Sequence, residues 1–318
     1  MSKLATKFIA VLAVFLTLLS TLSAETLTLS AKFVNDNKNR ATISVQFELD
    51  AHLSSAHSIQ KGGNDGDIHM AGRAPEVQLP MVAEIMNAKL DGESASVKLM
   101  NGTSPGANVP ITGVWRIWFE HPSTTAQTQG TSVPVPANAN PDHVFEIHPI
   151  TKFDGQDISD SSLVPIVDPK GGASYEAYAA KVAFPAYEKL KASISVSSTA
   201  VSITANKAEY NYTEFVLEPA GKVVHGDDGL FVLANVYDVN DAETPLTSGP
   251  RRMVFVENSE PAKQLVALPK GGRLHVMGIP RVSLAEVAAV SGTGATSMNL
   301  PYEMIVVAVF PESGSSHH

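Results

Sequence analysis

The sequence predicts an all-β protein with one linking helix, organised as two small barrels or barrel-like sandwiches. Short runs rich in Val, Ile, Thr and Phe alternate apolar with polar residues along most of the chain. Clusters of Asn, Asp, Gly, Pro and Ser separate these runs at short intervals, a spacing typical of all-β folds. One stretch, residues 174–192, places its aromatic residues at helical spacing, and it is predicted to form a helix that Pro185 divides.

The first 24 residues have the pattern of a secretory signal peptide. Two lysines and no acid precede an apolar run, and small residues lead up to Ala24, after which cleavage is expected. No other stretch is apolar over the length needed to span a membrane, so we expect no transmembrane segment in the mature chain. The predicted location is therefore secreted or periplasmic.

The composition excludes several classes of function. The formal net charge of the whole chain is −9, and removal of the two lysines of the signal makes it more negative. Such an acidic protein is a poor candidate for non-specific nucleic-acid binding, because phosphate contacts depend on Lys and Arg. There is no cysteine, which excludes disulfides, thiolate metal sites and a catalytic thiol.

Two modules are predicted, with a boundary at the loop VDPKGGA that precedes the helix. The halves also share sequence patterns, since ITGVWRI at residues 111–117 matches VMGIPRV at residues 276–282. Either an internal duplication or the reuse of common strand sequences explains this match. The predicted organisation is a signal peptide (1–24), an N-terminal β-barrel module (25–160), a linker and helix (161–192), a C-terminal barrel-like module (193–312) and a tail (313–318).

The second of the matching strands follows KGGRLHV and ends in Gly-apolar-x-Arg-Val. This arrangement resembles the turn and strand that close small Greek-key barrels of the oligonucleotide/oligosaccharide-binding (OB) type. In such barrels glycine stands where a strand bends sharply. The resemblance implies that the two modules are OB-like barrels.

Imidazoles and carboxylates concentrate in three strand segments of the first half. Alternation places Glu146 and His148 on one face of HVFEIHP, and Asp67 and His69 on one face of GDIHM. Such nitrogen and oxygen donors suit a divalent metal, namely zinc, manganese or iron(II). A hydrogen-bonded structural cluster is the alternative interpretation. The candidate metal ligands are Asp67, His69, His121, Glu146 and His148.

A second group of residues is a candidate for direct ligand contact. Trp118 is predicted to be a platform for stacking a base or sugar ring, and Arg116, on the same face, could clamp an anionic group. Simple packing is the alternative for both residues. The candidate ligand-binding residues are Trp118, Arg116, Glu120 and His143.

The string GDIHMAGR, LPMVAEIMNA, GVWRIWFEHP and HVFEIHPIT resembles a set of exported bacterial proteins of undescribed function. These proteins share a Gly-Asp-x-His strand, an Ala-Glu-Ile strand and a terminal Glu-[Ile/Leu]-His-Pro. The resemblance covers residues 60–151 and implies export without implying an activity.

The favoured hypothesis is an exported binding protein whose first module holds a small polar ligand, such as a glycan or a nucleotide-like molecule. A metal-dependent hydrolase, for example a phosphodiesterase, is the first alternative: two histidines and a carboxylate would hold the ion, and a second carboxylate would act as base. An assembly component that uses the strand edges of the second module is the other alternative. Whether the protein is an enzyme, and its oligomeric state, stay open at this level.

Overall fold

The computed structural model describes residues 24–53, 66–89, 95–123, 125–159, 177–241, 243–291 and 294–310. Strands make up 47% of the structure and helices 15%, and the strands close into two five-stranded barrels, which confirms the predicted fold class. Residues 1–23, 160–176 and 311–318 lie outside the described residues; they include nearly all of the predicted signal peptide, the first part of the predicted linker and helix, and the predicted tail.

The bounds of the elements follow the turn clusters of the sequence. The helices are α1 (Ala31–Asn37), α2 (Ala95–Gly102), α3 (Ala180–Tyr187), α4 (Glu260–Ala267) and α5 (Leu284–Ala289). The strands are β1 (Glu25–Ser30), β2 (Thr42–His52), β3 (Ile68–Arg73), β4 (Met81–Ile85), β5 (Asn108–His121), β6 (Gln127–Thr128), β7 (His143–Phe153), β8 (Gln156–Asp157), β9 (Tyr178–Ala179), β10 (Lys191–Val196), β11 (Ala200–Ala205), β12 (Thr213–Pro219), β13 (Val224–His225), β14 (Gly229–Tyr237), β15 (Arg251–Val256), β16 (Leu274–Val282), β17 (Thr296–Asn299) and β18 (Tyr302–Val309).

Both barrels have the same connectivity. The first closes in the order β2-β3-β4-β7-β5, and β4 runs parallel to β7. The second closes in the order β12-β14-β15-β18-β16, and β15 runs parallel to β18. Numbered along the chain, each barrel is therefore 1-2-3-5-4 with strands 3 and 5 parallel, which is the predicted OB-like Greek key.

The matching sequence stretches occupy equivalent strands, so the two barrels are structural repeats of one unit. Residues 111–117 lie in β5 and residues 276–282 in β16, the fourth strand of each barrel. Gly113 and Gly278 stand at register shifts in these strands. A Cβ atom on Gly113 would lie 2.5 Å from the Pro149 carbonyl oxygen, and one on Gly278 would lie 2.9 Å from that of Ile305. Glycine is required because the neighbouring strand approaches so closely at the bend.

The two barrels pack against each other through β5 and β16. Arg116 Nε donates to the Pro280 carbonyl oxygen at 3.0 Å, and Arg281 Nη1 donates to the Trp115 carbonyl oxygen at 3.0 Å. The two arginines thus make reciprocal contacts, each reaching the backbone beside the other. A buried apolar cluster with residues from both barrels surrounds this contact, for example Val114 and Ile279. The outer faces of β5 and β16 are therefore buried.

A third sheet joins strands from both halves, in the order β17-β10-β11-β1-β6. Strand β11, which lies in the range predicted for the second module, pairs with β1 of the first half, and β6 pairs with β1 on its other side. The predicted helix is shorter than expected, since α3 spans Ala180–Tyr187 with Pro185 inside it. None of the helices among the described residues is long and apolar enough to cross a membrane.

Glu25, at the start of β1, predicts a pH-dependent stability. Its carboxylate accepts a hydrogen bond from the Ser123 amide at 2.6 Å, but burial dominates and raises the pKa of Glu25 to about 7. The folded state then disfavours the ionised form of Glu25. The free energy of unfolding therefore falls as the pH rises from the ordinary pKa of a glutamate, 4.5, towards 7. We expect Glu25→Gln to raise the melting temperature at pH 8 and to leave it nearly unchanged at pH 4. Thermal denaturation followed by circular dichroism measures both; an equal effect at the two pH values would contradict this origin.

Candidate functional site

The predicted faces of the first-half strands are confirmed. Ile68 and Met70 belong to the main hydrophobic core, whereas Asp67 and His69 lie on the opposite, outer face of the first barrel. Glu84 on β4 is the cross-strand partner of His69. Because the outer faces of β3, β4 and β7 adjoin, carboxylates and imidazoles from three strands meet there.

This outer face is not open to solvent. The cluster, defined as Asp67, His69, Glu84, Glu146 and His148, has exposed fractions between 0% and 5%. Tyr212, which immediately precedes the first strand of the second barrel, covers it. The cluster therefore lies at the boundary between the two barrels.

On its Nε2 side, His148 belongs to a hydrogen-bond network with Tyr212 and Asp67. The Tyr212 hydroxyl donates to Asp67 Oδ2 at 2.6 Å, and His148 Nε2 lies 2.5 Å from that hydroxyl and 3.2 Å from Asp67 Oδ2. The Asn87 amide donates to Asp67 Oδ1 at 2.9 Å. Since Tyr212 donates its proton to Asp67, this network places a proton of His148 on Nε2, and Nδ1 faces the other side.

On that other side, His148 Nδ1 faces two carboxylates. It lies 3.5 Å from Glu84 Oε2 and 3.5 Å from Glu146 Oε2, and Glu84 Oε2 lies 3.3 Å from His69 Nε2. Neither His148 Nδ1 nor Glu84 Oε2, both buried, makes a hydrogen bond of acceptable geometry within the described part of the chain. If His148 is neutral, the lone pair on its Nδ1 and the carboxylate oxygens repel one another unless a cation lies between them.

The electrostatics of the cluster also favour a cation at this point. Burial alone would lower the pKa of His148, but the carboxylates of Glu84, Asp67 and Glu146 outweigh it and raise that pKa well above its usual value. Burial would raise the pKa of Glu84, yet His148 and His69 lower it to about 2. The carboxylates are therefore ionised, and they stabilise a positive charge placed among them.

Glu146 connects the cluster to a second group of polar residues. Arg116 Nη1 donates to Glu146 Oε2, and Arg116 Nη2 donates to Glu120 Oε2 at 2.9 Å. His143 Nε2 lies 3.1 Å from Glu146 Oε1. Despite its burial, Glu146 has a pKa well below the usual value because of Arg116 and His143.

The structure corrects the expected rim of the site. Arg116 is fully buried and its guanidinium is engaged by two carboxylates and a backbone carbonyl, so it cannot clamp a ligand from solvent. Trp118 is 1% exposed, and its ring packs edge-to-face on Tyr187 of α3. The helix and the second barrel cover the face that the sequence suggested was open.

His121 contacts His143. Its ring stacks on that of His143, with ring centroids 5.1 Å apart. Among the predicted metal ligands, the structure thus brings together Asp67, His69, Glu146 and His148, and leaves His121 beside the ligand-binding candidate His143.

Sequence reasoning missed two residues, Glu84 and Tyr212. Glu84 carries a detectable signal, because an acid in the otherwise apolar MVAEI strand requires a polar partner. Tyr212 carries none, since it comes from the other half of the chain.

The second barrel provides an internal comparison. Arg116 is opposite Glu146 in the first barrel, and Arg281 is opposite Glu303 in the second. Both arginines are fully buried. This pair is repeated, so it belongs to the fold rather than to a site found in one barrel.

The rest of the cluster is not repeated. The first barrel can be aligned on the second by matching the pair Arg116–Glu146 to the pair Arg281–Glu303. The strand pairings then show which positions correspond: His69 to Phe231, Glu84 to Val254 and His148 to Ile305. All three residues of the second barrel are buried and apolar. The barrel can therefore be built without a histidine–carboxylate cluster on this face.

The residues fit a metal ion. One donor atom from each of Asp67, Glu84 and His148 lies within 4.8 Å of the others. Because hydrogen bonds already engage the Asp67 oxygens, we place Asp67 behind His148, where a carboxylate typically orients a metal-binding imidazole. The chain matches no protein-family model, no curated protein and no solved structure at a significant level.

Proposed function

We propose that this protein binds a divalent metal ion in its first barrel, at the boundary with the second. The ligands are Glu84 Oε2 and His148 Nδ1, with His69 Nε2 and Glu146 Oε2 completing the set. The observation that carries the proposal is the buried Nδ1 atom of His148, which lies 3.5 Å from two carboxylates and makes no hydrogen bond of acceptable geometry with the described residues. A proton or a metal ion must lie between them, and the separation is long for a proton.

Three distances among these four atoms suit a metal ion. Tetrahedral ligands that bind zinc at about 2.1 Å are separated from one another by about 3.4 Å. Of the six separations among the four proposed ligand atoms, three are 3.3, 3.5 and 3.5 Å. The donor atoms that all lie within 4.8 Å of one another are those of Asp67, Glu84 and His148. Two imidazoles and two carboxylates suit zinc, manganese or iron(II), which are the metals that the sequence favours.

The charges of the cluster support the same proposal. Asp67, Glu84 and Glu146 carry three negative charges, and Arg116 contributes one fixed positive charge in contact with them. If the histidines are neutral, these four groups have a net charge of −2, which one divalent cation would neutralise. Glu120 also pairs with Arg116, but its side chain is 22% exposed and its charge is partly solvated.

The burial of the cluster favours a structural ion over a catalytic one. Exposed fractions of 0–5% leave little room for a glycan, a nucleotide or a phosphodiester to reach the ligands. The hydrolase alternative requires an open coordination position that a substrate can reach. We therefore propose that the ion links β3, β4 and β7 beneath the second barrel, in a protein exported by its first 24 residues.

Metal analysis tests the proposal. The protein should be prepared without the terminal histidines and without metal-affinity purification, and its metal content measured by inductively coupled plasma mass spectrometry. We expect about one equivalent of zinc, manganese or iron. Removal of the ion with a chelator should lower the free energy of unfolding by about 3–4 kcal/mol for an ion present at several hundred times its Kd.

The matched variants are His148→Ala and His275→Ala. His275 lies 2.7 Å from Glu214 in the second barrel, so it is also a histidine paired with a carboxylate. We expect His148→Ala to lose the metal and His275→Ala to retain it. The proposal fails if the wild-type protein takes up no metal after incubation with each of the three ions, in which case His148 is an imidazolium held by carboxylates.

A further inference from the structure

The described residues leave the proposed metal site closed to solvent. Its four ligands are at most 5% exposed, and Tyr212, which covers them, is 1% exposed. Four cavities of about 250–610 Å³ are lined by described residues, and no cluster residue lines any of them. An ion can therefore enter or leave only when part of the covering chain moves.

Tyr212 ends a segment that lies across the first barrel. Residues 206–212, which we name the strap, connect β11 of the third sheet to β12 of the second barrel and form neither helix nor strand. The Ala208 amide donates to the Phe119 carbonyl oxygen of β5 at 2.8 Å. The Tyr212 hydroxyl donates to Asp67 at 2.6 Å. Single hydrogen bonds, rather than a strand ladder, thus attach the strap to the first barrel at these two points.

The middle of the strap has a strained backbone. Tyr210 has a φ of +65°, in the left-handed region that is unfavourable for a bulky side chain. Its ring packs edge-to-face on that of Tyr178, with ring centroids 5.0 Å apart, and its carbonyl oxygen accepts a hydrogen bond from the Tyr187 hydroxyl at 2.6 Å. Tertiary contacts therefore hold the strap in a conformation that the chain alone disfavours.

The strap reaches the metal site through Tyr212. Its hydroxyl donates to Asp67 Oδ2 and lies 2.5 Å from His148 Nε2. A hydrogen bond at the far nitrogen orients an imidazole that binds a metal. The closed strap thus favours the orientation in which His148 Nδ1 faces Glu84 and Glu146, and by linkage a bound ion favours the closed strap.

We propose that the strap is the gate of the metal site: it opens for the ion to enter or leave, and the bound ion keeps it closed. This inference rests on the proposed metal site. The strands that carry most of the cluster are held by ladder hydrogen bonds, whereas the strap belongs to no ladder. The strap is therefore the segment that opens at the lower cost in free energy.

Release of zinc to a chelator tests the gate on the full chain. The protein is loaded with zinc and mixed with increasing concentrations of a chelator whose absorbance reports the ion. We expect the release rate to become independent of the chelator concentration, because opening of the strap limits it. An ion in an open site would instead be removed faster at every higher concentration.

Tyr187→Phe changes the strap without changing the site. Among the described residues, the Tyr187 hydroxyl bonds only Tyr210 and Thr213. Its loss should raise the limiting release rate about three- to tenfold, as expected for one hydrogen bond. Because this bond holds the strap closed with or without the ion, zinc uptake should quicken by the same factor and the Kd should stay unchanged.

Two further variants serve as comparisons. Tyr237→Phe removes a hydroxyl that donates to Glu218 at 3.3 Å, outside the strap, and should release zinc at the wild-type rate. Tyr212→Phe removes the hydrogen bond to Asp67. It should therefore speed release and also weaken zinc binding about ten- to a hundredfold.

Amide hydrogen exchange measured by NMR observes the strap itself. The Ala208 amide donates to Phe119, and the Tyr178 amide donates to the Tyr212 carbonyl oxygen at 2.7 Å, so opening exposes both. In the metal-free protein the two amides should have similar protection factors, which Tyr187→Phe lowers about three- to tenfold. Zinc should raise both.

The outcomes separate the gate from the metal site. A protein that takes up no zinc, manganese or iron refutes the metal site and the gate with it. If zinc binds but its release stays proportional to the chelator concentration, or if Tyr187→Phe exchanges zinc at the wild-type rate, the gate alone is overturned.

Discussion

We expect Arg281→Met to lower the free energy of unfolding by about 3–5 kcal/mol, as is typical when one partner of a buried ion pair is removed. Arg281 Nε donates to Glu303 Oε1 at 2.7 Å, and the guanidinium also donates to the carbonyl oxygens of Trp115 at 3.0 Å and Arg40 at 2.9 Å. These carbonyls belong to the first barrel, so the arginine connects the two repeats. Chemical denaturation measures the loss.

The double variant Arg281→Met/Glu303→Leu is the control for this prediction. Removal of both charges leaves no carboxylate buried without its arginine, so we expect a substantial part of the loss to be recovered. Arg252, which also pairs with Glu303, is partly exposed and can then be solvated. A loss below about 1 kcal/mol for Arg281→Met, the size of an exposed pair, would show that the reciprocal contacts contribute little.

The second large effect concerns the metal. The triple variant His69→Phe/Glu84→Val/His148→Ile gives the first barrel the side chains that occupy the corresponding positions of the second barrel. We expect it to fold and to bind no metal, and its melting temperature should not respond to a chelator. Apolar packing then replaces Glu84 and both imidazoles, whereas the buried Asp67 carboxylate keeps the hydrogen bonds that Tyr212 and Asn87 donate to it.

The matched control is His275→Phe/Glu214→Val, which removes a histidine–carboxylate pair from the second barrel. This variant should retain the metal and the response to a chelator. Mass spectrometry for metal content and thermal denaturation with and without chelator compare the two variants. Retention of a full equivalent of metal by the triple variant would refute the proposed ligand set.

Part of the site could be predicted from particular residues. A strand turns alternate side chains to opposite faces whatever surrounds it. This rule placed Asp67 with His69 and Glu146 with His148, away from Ile68 and the core. The glycines of β5 and β16 were predictable for a similarly local reason, since a sharp bend in a barrel strand requires them.

The rule could not predict what covers each face. Trp118 and Arg116 do share a face, as alternation predicts, but α3 and the second barrel bury them. Glu84 entered the cluster because the register of β4 sets it opposite His69. Register depends on the partner strand, which a local pattern does not specify.

By itself, the sequence determined the β class and the strand face on which Asp67, His69, Glu146 and His148 lie, because these follow from period-two patterning and turn residues nearby in the chain. It left the repeat as one of two explanations for the matching stretches. Only the tertiary structure decided that three strands meet in one cluster, that Tyr212 closes it, and that the supposed rim is interior. Those outcomes depend on contacts between residues far apart in the chain, such as Asp67 with Tyr212, which are fixed when the two barrels pack together.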